Sequence, residues 1–315
     1  MKGEVLMKKL LTILMLLVMT CALAAGASAA SSSGTFRYEI RSGQATITGY
    51  EQKRHVNADE LIVPSLLGNA RVTAISLNAF SEGSITKTII LPDTLRTIED
   101  GAFRECRFLQ TIVVSPDHPV LATIDGVLFD KPAKKLLCYP HGYSQSSYAV
   151  PEGIAMIGNW AFYECSELTT VTLPDSLTSI GERAFRGCSN LTGIGIPNHV
   201  TTIAEGTFSG CTSLASVTLP VGITRIDNWA FRDCSALTAI VLPDTVTTIG
   251  KSTLKGCRLL KSITLPASVT EIGEDAFDEC PYLTVTVERG SFAAQWCKDN
   301  NVRHIYPDSN DWLLK

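Results

Sequence analysis

Seven cysteines hold one position of a recurring motif: Cys106, Cys165, Cys188, Cys211, Cys234, Cys257 and Cys280, the last six at intervals of 23 residues. Thiols in such number suit disulfides, a soft metal or nucleophilic chemistry. No C-x-x-C pair occurs among the ten cysteines, which removes the usual spacing for zinc. Each of the seven follows a Phe or Leu by three residues. A thiol that recurs beside large apolar residues is expected to be a small buried filler, with a raised pKa and little reactivity. Cys138 and Cys297 fall outside the series, so the same reasoning makes them the more accessible ones.

Other chemistry fares no better. The five histidines (His55, His118, His141, His199 and His304) occupy unrelated positions, and none belongs to an H-E-x-x-H. GYSQS at 142–146 lacks the second glycine of a nucleophile elbow. Asp125-Gly126 reads as a turn. Asp93, Asp175 and Asp244 share the slot after a proline, where turn formation accounts for them. LPDT at 91–94 and 242–245 is followed by Leu95 and Val246 rather than glycine, so it is no sortase signal. The phosphate-loop and dinucleotide fingerprints are missing. The expectation is a protein with no enzymatic activity, cofactor or metal.

The elements that carry these residues repeat. Ile157, Ile180, Ile203, Ile226, Ile249 and Ile272 keep the 23-residue interval, as do Ile75 and Ile98. Phe162, Phe185, Phe208, Phe231 and Phe277 follow their isoleucines by five residues, with Leu254 once in that place. In LTTVTLP (168–174) the last apolar residues alternate as in a strand, and Pro174 ends the ladder because it offers no N–H. In IGERAFRGC (180–188) Ile180, Ala184, Phe185 and Cys188 recur at near-helical spacing, which predicts a short helical or 3-10 arc. One such coil cannot bury its own Ile, Phe and Leu, but stacked coils can. Roughly ten coils would make a rod on the order of 45–50 Å long.

CSELTTVTLPDSLTSIGERAFRGC (165–188) resembles the unit of the BspA-like, or Treponema-pallidum-type, leucine-rich repeat family. The resemblance covers about residues 35 to 306. Departures are local: Gly83 and Thr86 replace Cys and Leu, Gly195 loosens a strand, and Thr253-Leu254 replaces Ala-Phe. It implies an α/β solenoid of right-handed leucine-rich-repeat type, with 23-residue coils, a parallel sheet on one face and short helical or 3-10 arcs on the other. It also implies a binding rather than a catalytic role, with adhesion the leading form.

Three segments break the period. Residues 30–64 read as a capping hairpin and first coil, with FRYEI and ATITGY on either side of Ser42-Gly43. Residues 115–150 interrupt the repeats of 65–284, and DGVLFDKPAKKLLCYP reads as a hairpin turning at Pro132 and Lys134. Residues 285–306 read as a terminal cap, a helix and then a strand, with a tail at 307–315. At the other end, Lys8-Lys9, the apolar run Leu10 to Ala25 and Ala27-Ser28-Ala29 fit a secretory signal at 1–29. Cys21 follows Thr20, which argues against a lipoprotein site. No second long apolar segment follows, so no transmembrane segment is expected.

A net charge of −4 gives no polybasic surface and argues against nucleic acid as a partner. Two surfaces remain as candidates. The strand residues predicted to point outward are Thr169, Thr170, Thr172, Gly195, Thr218, Val241 and Thr264. Trp160 and Trp229 share a repeat slot that elsewhere holds Gly101, Arg183, Gly206, Ser252 and Asp275, with Arg104, Arg186, Arg232 and Lys255 in a neighbouring slot. Exposed Trp and Arg dominate protein-binding hot spots. The alternative is that each indole lies flat and covers its neighbouring coil. The candidate partner-binding set is therefore Trp160, Arg183, Trp229, Arg186, Arg232, Thr172, Thr218 and Thr264. The expected function is a secreted or surface-associated module that binds extracellular protein. Carbohydrate or cell-wall binding through the tryptophans is the alternative.

Overall fold

A residue that recurs every 23 positions meets its own copy when coils stack. The computed structural model describes residues 34–52, 59–81 and 86–307, so the signal-like segment 1–29 lies outside the described residues. It is a β-solenoid of about eleven turns with little helix. Two parallel strand columns run along it. One joins Leu136, Ile157 and Ile180 in register, and then Ile203, Ile226, Ile249 and Ile272. The other pairs Tyr148 with Val171, Ile194 with Val217, and Ile240 with Ile263 and Val285. In Thr170–Thr172, Ser216–Thr218 and Ala239–Val241 the inward member is buried while its neighbours are exposed.

The arc between the columns differs from the sequence expectation. No helix forms between Ile180 and Cys188; the segment is a run of turns. Its alternate N–H groups donate along the stack: Arg183 to Glu205, Phe185 to Thr207 and Gly187 to Ser209, at 2.8–2.9 Å. The N–H groups between them donate three residues back, Ala184 to Gly181, Arg186 to Arg183 and Cys188 to Phe185. Isolated 3-10-type turns therefore form, but every second N–H is withheld from an i−4 ladder and no helix results.

Stacking fills the interior with copies of the same side chain. Phe162, Phe185, Phe208 and Phe231 lie nearly parallel with centroids 4.7–5.5 Å apart. Beside them each thiol donates to the carbonyl of the aromatic one coil back. Cys188 reaches Phe162 at 3.0 Å, Cys211 reaches Phe185 at 3.1 Å and Cys234 reaches Phe208 at 3.2 Å. Burial pushes these thiols up, Cys188 to about 12. Among the described residues all nine cysteines are free. Cys297, expected to be accessible, is instead buried on the inner face of the cap helix Phe292–Asp299, while Cys138 is half-buried and Cys280, at the end of the column, is also half-buried.

The ends are closed differently. Gly34–Arg41 pairs antiparallel with Gln44–Gln52, and the second of these strands starts the parallel column. In the interrupting segment, Leu121–Ile124, Val127–Asp130 and Lys135–Cys138 form an antiparallel sheet whose last strand joins the solenoid. Buried His118 anchors it. Its Nδ1 accepts from the N–H groups of Val120 and Leu121, and its Nε2 donates to the Pro92 carbonyl.

Two outcomes follow for the folded chain. A thiol reagent is expected to modify Cys138 and Cys280 slowly in the native state and the rest only after denaturation, read by mass spectrometry. Equal native labelling of Cys188 or Cys211 would contradict a buried column. Burial also lowers the His118 pKa below its ordinary 6.5, against pulls from the Pro92 carbonyl and Asp93. The unfolded chain then binds the proton more readily, so stability should fall as pH drops through 6.5. The urea midpoint is expected to decline on acidification through that value, and His118→Asn should flatten part of the decline.

Candidate functional site

The slot that holds both tryptophans is defined by its backbone. Asn78, Gly101, Trp160, Arg183, Gly206, Trp229, Ser252 and Asp275 all have φ between 50° and 75°. At this left-handed corner the N–H of Trp160 already donates along the stack, to the Glu182 carbonyl at 3.0 Å. Gly, Asn and Asp suit such a position, whereas a bulky side chain there is an outlier. The small and polar composition of this slot is thus a conformational requirement, and the two tryptophans go against it. In each case the preceding asparagine steadies the corner. The Asn159 Oδ1 accepts the N–H of Glu182 and the Asn228 Oδ1 accepts that of Lys251, both at 2.8 Å.

Trp160 has a local reason to be there. The coil before it runs from Leu136 to Tyr139 in three residues, where a regular coil takes five from Ile157 to Phe162. The register is nonetheless kept. Leu136 pairs with Ile157, Tyr139 stacks on Phe162 at 5.1 Å, and the Tyr139 carbonyl accepts the Cys165 thiol as Phe162 accepts Cys188. The shortened coil has no left-handed corner, for no residue between Lys134 and Gly153 has a positive φ. The indole of Trp160 fills the resulting gap and reaches Gly101, where an added Cβ would meet its Cδ1 at 3.1 Å. Arg104 on one side and Arg183 on the other place their guanidiniums 4.6 and 5.0 Å from the ring centroid. Tyr163 meets it edge-on at 5.2 Å. Arg183 is held in turn by Glu205 and Glu182.

Trp229 sits between regular coils, half-buried, three coils along from Trp160, with Gly206 and Ser252 in the adjacent slots. Arg232 is exposed and pairs with its neighbour Asp233 at 3.3 Å. Arg186 is exposed on the same flank. Thr172, Thr218 and Thr264 are exposed on the strand column, on a different face of the coil. The eight candidates therefore divide into an arc cluster and a strand face rather than one site. Other threonines are committed to the scaffold: Thr169, Thr192, Thr224 and Thr247 each donate a hydroxyl hydrogen to a carbonyl one coil back.

The candidate set from the sequence leaves out Arg104 and His141, whose Nε and Nδ1 are buried and unpartnered among the described residues, although both residues line the cleft beside Trp160. The signal for it was present in the short interval from Leu136 to Tyr139. Among the described residues no group of three or more His, Cys, Asp or Glu is placed to hold a metal ion, and no helix is long and apolar enough to cross a membrane.

Comparison with known proteins decides the family. The model of the BspA-type leucine-rich repeat region matches residues 61–132 and 138–238 in six copies, more than half of the chain. The chain belongs to the BspA-type leucine-rich repeat family. Among solved structures, a leucine-rich repeat protein from Eubacterium ventriosum is 25% identical with a TM-score of 0.57, over 70% of this chain and 64% of that one. The chain thus spans less than two thirds of that relative. The pneumococcal vaccine antigen PcpA shares the fold at 15% identity, with a TM-score of 0.52 over 89% of this chain and 98% of its own. No curated protein matches the chain. The break between the two matched stretches, residues 133–137, falls at the shortened coil of this BspA-type protein.

The two tryptophans should therefore respond differently to substitution. Trp160→Ala opens a gap at the shortened coil and is expected to lose about 3 kcal/mol, as large-to-small changes of aromatic residues do. Trp229→Asn relieves a left-handed Trp and is expected to change stability by less than about 1 kcal/mol, with a gain the favoured sign. Equal losses by denaturant titration would refute the distinction.

Proposed function

We propose that this BspA-type protein is a secreted or surface-associated scaffold that binds another protein at the bacterial exterior through its strand face. The observation that carries this reading is the composition of that face. From Thr170–Thr172 through Gly193–Gly195, Ser216–Thr218, Ala239–Val241 and Ser262–Leu265, the outward positions are Thr, Ser, Gly, Ala or Val. Val241, on the fourth of these strands, is 80% exposed. Such side chains lose little rotamer freedom when covered, and the sheet beneath is already ordered, so docking a flat protein surface costs little conformational entropy. A small ligand would need a deeper concave site than this face offers. The signal-like segment at 1–29 supports export, and the family supports a binding role.

The carbohydrate reading rests on two stacking platforms. Trp160 is a poor one, since guanidiniums from both neighbouring coils already lie over its ring. Trp229 keeps that reading as the alternative.

Residues 30–315 would be screened against extracellular-matrix proteins and a glycan array side by side, with Thr218→Arg/Thr264→Arg and Trp229→Ala variants. A saturable protein hit that the double arginine variant weakens at least about tenfold is expected, the cost of one interface residue of about 1.4 kcal/mol. A glycan hit lost in Trp229→Ala and untouched by the arginines would replace this reading with the carbohydrate one.

A further inference from the structure

Trp160 closes the gap at the missing corner, but the shortened coil is short a second time. Tyr139 stacks on Phe162, and the Gly142 N–H already donates to the Leu109 carbonyl at 2.7 Å. Three residues thus cover an arc that takes six from Phe103 to Leu109. The residues omitted are those that would stand between Arg107 and Ser166, each nine positions after its isoleucine, Ile98 or Ile157. Coils on either side of a missing one are roughly 10 Å apart. A hollow of about 400 Å³, open to solvent, lies there, lined by Arg107, His141, Glu164, Ser166 and Gly187. Gly187 leaves it room, since an added Cβ would meet Glu164 Cγ at 2.9 Å.

The walls select the chemistry of an occupant. Arg107 and Glu164 bring one charge of each sign, paired loosely at 3.5 Å, and beyond them exposed Arg186 offsets exposed Glu167. Burial lowers the His141 pKa, so its ring is neutral near pH 7 and adds no charge. Such balance favours neither an anion nor a cation. A guanidinium has five N–H donors and a carboxylate about four lone-pair sites, so a loose pair occupies a fraction of either. Donors and acceptors set side by side fit vicinal hydroxyls: one donates to the Glu164 carboxylate while its neighbour accepts from Arg107. The Ser166 hydroxyl can do either. Phe108, exposed and next to Arg107 in the chain, packs its carbonyl against Gly142 and supplies an apolar ring beside these polar groups. The volume is that of a small-molecule site.

We propose that the hollow binds one neutral sugar residue, with vicinal hydroxyls bridging Arg107 and Glu164. It lies on the arc, so it is separate from the strand face and from the Trp229 platform. One sugar buries little surface, and half-saturation is expected at roughly 1–10 mM.

The test is saturation-transfer NMR on the intact chain. The probes are the methyl glycosides of glucose, galactose and mannose, N-acetylglucosamine, and the charged sugars glucosamine and glucuronate. Saturable transfer to at least one neutral sugar is expected. It should be lost in Arg107→Met and in Ser166→Tyr, which fills the hollow, and kept in Trp229→Ala. Melting curves show that each variant folds, and Arg107 is exposed enough for its variant to do so. No saturation with any neutral sugar overturns the proposal. So does binding that survives both hollow variants, or that is lost in Trp229→Ala alone, which assigns the sugar to that platform. Tighter binding of glucosamine or glucuronate overturns the neutral ligand. The probes need no protein partner, so a silent protein screen and an empty hollow are separate failures.

Discussion

The hydrogen bond from each coil to the next is the interaction on which the rest of this molecule depends. It works only if a residue and its copy 23 positions on lie one strand spacing apart, about 4.8 Å. Both strand columns obey this, and so does the arc, where alternate N–H groups donate to the following coil. Once that register is imposed, like side chains must stack on like. A column of phenylalanines at 4.7–5.5 Å and a column of thiols bonded to carbonyls are its direct consequences.

The same constraint sorts the chemistry of the chain. The thiols of the column become donors to main-chain carbonyls with raised pKa values, and all but the half-buried Cys280 at its end are shut off from solvent. Hydroxyls at Thr169, Thr192, Thr224 and Thr247 bridge coils in the same manner. What is left over for recognition is therefore limited to positions the register does not use. These are the outward residues of the strand column and the places where a coil departs from its length. Strain is carried at the left-handed corners, where Trp160 and Trp229 stand in a slot better suited to glycine.

Departure from length explains the arc cluster. A coil shortened by two residues keeps its strand and its aromatic in register and gives up its corner. The neighbours then close over the gap with Trp160, while Arg104 and His141 retain polar atoms with no partner. An irregularity in an otherwise uniform solenoid thus produces a feature that no regular coil has. Repeat scaffolds acquire distinct sites in this way, because identical coils can only present identical surfaces.

The sequence by itself determined the repeat, its 23-residue interval, the family and the identity of the buried columns, since periodic Ile, Phe, Leu and Cys can be satisfied only by stacking. It also made the outward strand residues legible, because alternation along a strand assigns them. It misread the arc. Near-helical spacing of Ile180, Ala184, Phe185 and Cys188 does not reveal whether the N–H groups turn inward to form a helix or along the stack, and that choice belongs to the neighbouring coil. The Trp slot shows the same limit, since a left-handed backbone and a solvent-facing position favour the same small and polar residues and composition alone does not separate them. Which atoms end up unpartnered was decided by tertiary structure alone. Arg104 and His141 lie 37 positions apart in the chain, and only the folding of a shortened coil between them and Trp160 brings them to one cleft.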